Sequence, residues 1–399
     1  MTQPGSRMYY LHHYFDPDFS HMNLAPVEGQ DGSLDPRFLG YVQNVVAGQV
    51  LAEIIDLDEF PNIKRDPRFL YPSKHLPIGP NCAPLKGNPD KIVAEANGYV
   101  FYHNGLISVK KLLNVRSNVG FHTGNIFFVG DLAVHGDVQT GFAVQAGNVL
   151  VKGHIESAKV KGVNDVVCLS GVKGDNTSAV SDSPEKVADA EAHVPSTLIE
   201  AGGNIRIPFC EHVQLRAKGN IIIDGSCLHS TLYVEGNLVV KGRLQGGTVY
   251  ANGLVYVEGQ LGSDYTVPTR IMMGYSPFGF LSLQKLENQI AYLKDKLAFF
   301  EKMAQRNHVM EQEYAPRAEL MSMKLKIALA KHRDLWRKFA VDEEHAPKCR
   351  VVAPGRVMPG CEIGIAKAYT KTTVMESDVT FMMIDDDVIS RPNRKKNDA

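Results

Sequence analysis

Short apolar runs alternate with polar corners through the middle of the chain. Gly124-Asn125-Ile126-Phe127-Phe128 recurs as Gly147-Asn148-Val149-Leu150-Val151. It returns as Gly203-Asn204-Ile205-Arg206-Ile207, Gly219-Asn220-Ile221-Ile222-Ile223 and Gly236-Asn237-Leu238-Val239-Val240. A reversed copy, Asn252-Gly253-Leu254-Val255-Tyr256, follows. The last four copies are spaced by 16 or 17 residues, and the first pair by 23. Each run reads as one short strand with alternate side chains turned inward. One such turn cannot bury its own apolar face, but stacked turns can, at roughly 4.8 Å per rung. The pattern therefore predicts a mainly β protein built on a parallel β-helix from about Gly124 to Gly274. Gly and Asn are expected at the corners because both tolerate left-handed backbone. Gly130, Gly136, Gly141, Gly153, Gly225, Gly242 and Gly259 mark further corners.

Two competing architectures fit less well. Fixed spacing and identical corners argue against a sandwich of hairpins. A left-handed helix of hexapeptides would repeat every 18 residues, so the observed period favours a right-handed solenoid. One polar stretch at about 174–196 interrupts the repeat and reads as a loop insertion.

The pattern changes at both ends. Phe38, Val42, Val45, Val46, Val50, Leu51, Ile54 and Ile55 fall near helical spacing after an Asp35-Pro36 cap, which predicts a helix at about 36–57. Seven prolines between Pro61 and Pro89 then predict an extended connector. Residues 1–90 form this N-terminal region. Residues 91–275 begin with a hairpin turned at His103-Asn104-Gly105 and continue into the β-helix.

Residues 276–345 read as an antiparallel coiled-coil hairpin. Leu283, Leu286, Ile290, Leu293, Leu297, Phe300 and Ala304 alternate by three and four, as do Ala318, Met321, Leu325, Ala328, His332, Leu335 and Phe339. Pro316 and its polar surroundings are expected to mark the turn. Residues 346–390 return to β and are expected to close the solenoid's open edge. Residues 391–399 form a basic tail.

Composition narrows the class. Lys and Arg number 43 against 44 Asp and Glu, a net charge of −1, which provides no general field for nucleic acid. No run reaches the 18 or so apolar residues of a membrane span, and no leader pattern is evident. Six scattered cysteines without a CxxC pair fit a reduced, cytoplasmic protein.

Candidate chemistry is sparse. Cys210, His212, Cys227 and His229 repeat at the rung spacing and are the one zinc candidate. A Cys ladder beside a His ladder suits that spacing as well. Asp385-Asp386-Asp387 reads as a solvated turn. No P-loop, no nucleotide-binding glycine motif and no catalytic triad spacing is present. The chain is expected to be no enzyme and to need no cofactor.

One resemblance joins these parts. Thr123-Gly124-Asn125-Ile126, Gly130-Asp131, His135-Gly136-Asp137-Val138 and the run from Gly141 to Gly147 resemble the flagellar assembly protein A (FapA) family. Gly246-Gly247-Thr248-Val249-Tyr250-Ala251, Leu261-Gly262, Thr269 and Met273-Gly274 extend the likeness. It covers about residues 95 to 385 and leaves the first 90 outside. It implies a bacterial cytoplasmic scaffold that contributes to flagellar assembly or its placement through protein contacts. The implied partners are other proteins, flagellar or cell-pole components among them, and a homo-oligomer is a further expectation. A bactofilin-like polymer and a β-helix acyltransferase are the competing functions.

Overall fold

The computed structural model describes residues 8–22, 24–26, 35–57, 66–175, 197–263, 267–306, 308–338 and 348–393. These divide into two compact units, Met1–Ser170 and Gly171–Ala399. The proposed loop at 174–196 lies outside the described residues except for Gly174 and Asp175. So do Phe339 and the tail beyond Asn393.

The first unit opens with a five-stranded antiparallel sheet. Its order is Leu70–Tyr71, Tyr9–His13, Val50–Asp56, Asn88–Ala94 and Cys82–Leu85. A second sheet pairs Asn44–Val45, Gly98–His103 and Leu106–Lys110. Leu11, Leu51, Ala52, Ile92, Val100 and Ile107 share one buried core.

The helix expected at 36–57 is not there. Asn44–Val45 and Val50–Asp56 are strands. Two glycines with positive φ, Gly40 (+63°) and Gly48 (+86°), interrupt the segment. Its β-branched residues pack better on a pleated surface than on a helix. The Asp35 carboxylate accepts the Arg37 N–H at 2.9 Å and closes a turn instead of capping a helix. The described part of the proline-rich connector holds a 3-10 turn at Pro67–Phe69 and short strands at Leu70–Tyr71, Cys82–Leu85 and from Asn88 onward, joined by irregular chain. Pro84 sits on the edge strand, where its missing N–H leaves no ladder bond unmade.

Parallel rungs follow in the same unit. Leu113, Leu132, Val149 and Val166 stand in register on successive strands. Ile126, Val144 and Val160 form a second inward column, and Val119, Val138 and Ile155 a third through single bridges. All of these side chains are buried.

The second unit is stacked the same way. One column runs Ile205, Ile221, Leu238, Val255 and Val351. Another runs Val172, Cys210, Cys227, Leu244 and Leu261. The third runs Ile199, Leu215, Leu232, Val249, Ile271 and Ile363. Val351 and Ile363 lie beyond the two helices, so the chain leaves the stack after Met273 and resumes the same columns at Arg350. Three antiparallel strands, Ala368–Lys371, Glu376–Ile384 and Asp387–Pro392, then end the parallel pairing. Asp385 and Asp386 turn the last of them.

The corners work differently from the expectation. Among the Gly-Asn pairs of the rungs, only Gly124 has a positive φ, +64°. The glycines are required by close approach. A Cβ on Gly236 would lie 2.7 Å from both Asn220 Oδ1 and the Gly219 carbonyl. On Gly219 it would meet Asn204 Oδ1 at 2.6 Å, and on Gly253 it would meet Asn237 Oδ1 at 2.5 Å. The asparagines link rung to rung: Asn204 Oδ1 accepts the Asn220 N–H at 2.9 Å, and Asn237 Oδ1 accepts the Leu254 N–H at 2.8 Å. In the first unit Asp131 Oδ1 does the same for Asn148, at 3.0 Å.

Candidate functional site

Helix α1 (Pro277–Ala304) starts where the sequence provides a cap. The Ser276 hydroxyl accepts the Gly279 N–H at 3.2 Å, and Pro277 occupies the first turn. The root is fastened to the strands. The Phe280 ring stacks on Tyr250 with centroids 4.5 Å apart, and Tyr250 stacks on Tyr233 of the preceding rung at 5.0 Å. The Tyr275 hydroxyl donates to the Ala366 carbonyl at 2.7 Å. Leu281 and Leu283 of α1 are buried.

Helix α2 (His308–Lys338) packs back on α1. Ile290, Leu293 and Ala328 are buried, with Leu286, Met321 and Leu325 packed against them. Phe300 meets Tyr314 at one end, with centroids 6.0 Å apart, and His332 Nε2 lies 3.2 Å from Glu287 Oε1 at the other. Leu297, Phe300 and Leu335 of the expected seam are half-buried and lie outside that cluster. The turn falls just after Ala304, and Pro316 lies inside α2. Pro316 therefore does not mark the turn.

One side of α2 is apolar and open. Leu320, Met323 and Ile327, spaced by three and four, are 48%, 57% and 55% exposed. That is the spacing of a second seam on one helix. Trp336, the only tryptophan, is 58% exposed and stacks on His332.

The zinc candidates are aligned but not converged. Cys210 and Cys227 pair in register and are buried within the core. A hydrogen bond with Cys227, and then burial, push the Cys210 thiol well above its usual range. That favours the protonated form, which is a poor metal ligand. His212 and His229 have left-handed backbone, with φ of +54° and +48°. In a straight strand a Cys and a His two residues apart would share one face, but the left-handed backbone at the histidines breaks that alternation. The two imidazoles stack at 5.1 Å with their planes 12° apart, a ladder and not a chelate. Burial, followed by the neighbouring His229, holds the His212 pKa down. Among the described residues no group of three or more His, Cys, Asp or Glu is placed to hold a metal ion.

Sequence reasoning missed two features. The Tyr233–Tyr250–Phe280 ladder could have been found from the rung spacing of Tyr233 and Tyr250. Arg216, which lies on the outer face one rung before Tyr233, gave no signal of its partial burial.

Among the described residues no helix is long and apolar enough to cross a membrane. The family model described as the Flagellar Assembly Protein A beta solenoid domain matches residues 111–389. No curated protein and no solved structure shows a significant match.

Proposed function

This chain belongs to the flagellar assembly protein A family, and from that membership and the geometry above we propose that it is a non-enzymatic cytoplasmic scaffold for flagellar assembly or its placement. In this reading the strands form a right-handed solenoid that serves as a stiff base. The helices α1 and α2 form an antiparallel coiled coil that acts as the docking arm, and the partners are proteins. The observation that carries the reading is the open row of Leu320, Met323 and Ile327 on α2. Exposed apolar residues at seam spacing suit a partner's helix or groove. Arm and base are distinct in kind: the base is fixed by in-register columns, and the arm by one short cluster.

Deleting residues 282–340 tests this reading. The shortened protein should keep its β circular dichroism signal, and cells carrying it should lose normal flagellation as cells lacking the whole protein do. Normal flagellar number and placement with the arm deleted would overturn the arm's role. Normal flagellation without the whole protein would overturn the scaffold itself.

A further inference from the structure

In the second unit, the outer face of the stacked strands and the root of α1 enclose a cleft of about 430 Å³. That volume falls within the range of small-molecule sites, roughly 300–1,000 Å³. Gln214, Arg216 and Tyr233 contribute to the strand side, and Lys285 and Asn288 to the helix side.

Arg216 is the unusual member. It is half-buried, and burial disfavours its charge. Its Nη2 donates to Gln214 Oε1 at 2.6 Å, while its Nε is buried without a partner. Gln214 also hydrogen-bonds the Tyr233 side chain, so the guanidinium is held from below by a fixed network. Glu200 stands in register on the preceding strand and favours the charge from there. Among the described residues, however, no carboxylate forms an ion pair with Arg216. A partly buried cation lacking a paired anion is costly to keep. Lys285 adds a second positive charge from the opposite wall, and no acidic side chain lines the cleft.

We propose that this cleft binds a small molecule carrying an oxyanion group, carboxylate or phosphate, between Arg216 on the strands and Lys285 on α1. The guanidinium supplies the charge-assisted, directional donors that such groups favour. Lys285 supplies a mobile point charge, and Asn288 a neutral hydrogen-bonding partner. The ligand spans two elements, so it ties the root of the helix to the strand face. The inference stands apart from the flagellar role, because it concerns the root of α1 and not the open row on α2.

The test uses the full-length protein with inorganic phosphate and succinate as probes, at matched ionic strength with chloride. Calorimetry should show saturable one-to-one binding of at least one probe. Hydrogen exchange of residues 277–293 should slow when that probe is bound. Arg216→Gln and Lys285→Gln should each weaken binding by about tenfold or more. Lys285 is exposed, so its substitution leaves the fold intact and decides the matter alone if Arg216→Gln does not fold. Binding of phosphate only assigns a phosphorylated ligand, and binding of succinate only assigns a carboxylate. Failure of both probes to bind at millimolar concentration overturns the proposal, as does binding that Lys285→Gln leaves unchanged.

Discussion

The side-chain carbonyl of Asn220 accepts the backbone N–H of Asn237 at 2.8 Å, one rung along the stack. Asn220 in turn donates from its own N–H to Asn204. Each asparagine therefore satisfies a corner N–H that no strand reaches. Asn220→Ala should cost about 1–2 kcal/mol, because it leaves the Asn237 N–H without this acceptor. Gly236→Ala should cost more, about 2–3 kcal/mol, since its new Cβ would collide with Asn220 Oδ1 and the Gly219 backbone. Urea denaturation of each variant measures both. If Gly236→Ala is neutral, close approach is not the reason for the corner glycines.

That corner shows what the sequence made legible. The identity of the Gly-Asn pairs and their spacing pointed to stacked rungs, because only stacking repeats one environment so regularly. The cause was misread: left-handed φ was expected, whereas contact with the previous rung is what excludes a Cβ at Gly219, Gly236 and Gly253. Residues 36–57 hold eight apolar positions at helical spacing and still form strands. Gly40 and Gly48 were the overlooked signal. The Cys210 and His212 pairing failed for a local reason, since alternation holds only for a straight strand and His212 bends it. The cleft at Arg216 could not be read at all. It forms only when α1, far along the chain, settles against the strands.

His13 should make the first unit sensitive to acid. Its ring lies among Phe69, Phe15 and Tyr102, at centroid distances of 4.4, 5.2 and 5.6 Å. Its Nε2 is buried without a partner. Burial, followed by the charges of His12 and Arg68, lowers its pKa to about 4, against opposing pulls from Asp18 and Asp66. The unfolded chain takes up a proton as pH falls through 6.5, while the folded unit stays neutral until about 4. Stability contributed by this group is therefore full above pH 6.5 and declines between 6.5 and 4. The loss should be about 1–2 kcal/mol after allowing for solvent screening of a partly exposed ring. Amide exchange of Leu11 and Leu51 at pH 7 and pH 5 reads this unit alone. An equal pH dependence in His13→Phe would rule out His13 as its source.

The Cys210–Cys227 pair should behave as core and not as a metal centre. The purified protein should carry zinc well below one equivalent. Its six cysteines, all buried and none in a disulfide, should resist alkylation until the chain is unfolded. Zinc near one equivalent that disappears in a His212→Ala, His229→Ala double variant would contradict this. So would rapid labelling of Cys210 in the native protein.

The packing between α1 and α2 should be separable from the rungs. Among the described residues, the cluster holding the helices together has Ile290, Leu293 and Ala328 as its buried members, while the strand columns of the second unit are buried along their whole length. A short cluster leaves little reserve against the ordering entropy of two long helices. Ile290→Ala should remove about 2–4 kcal/mol from that contact, enough to open it locally. Hydrogen exchange should then speed up across residues 286–300 and 314–332, while Ile221, Leu238 and Val255 remain as protected as before. The Tyr250–Phe280 stack fastens the root to the strands independently of the cluster, so exchange near Phe280 should change least within α1. Faster exchange in the strand columns of the Ile290→Ala protein would show that arm and base unfold as one body, and the separation would then be wrong.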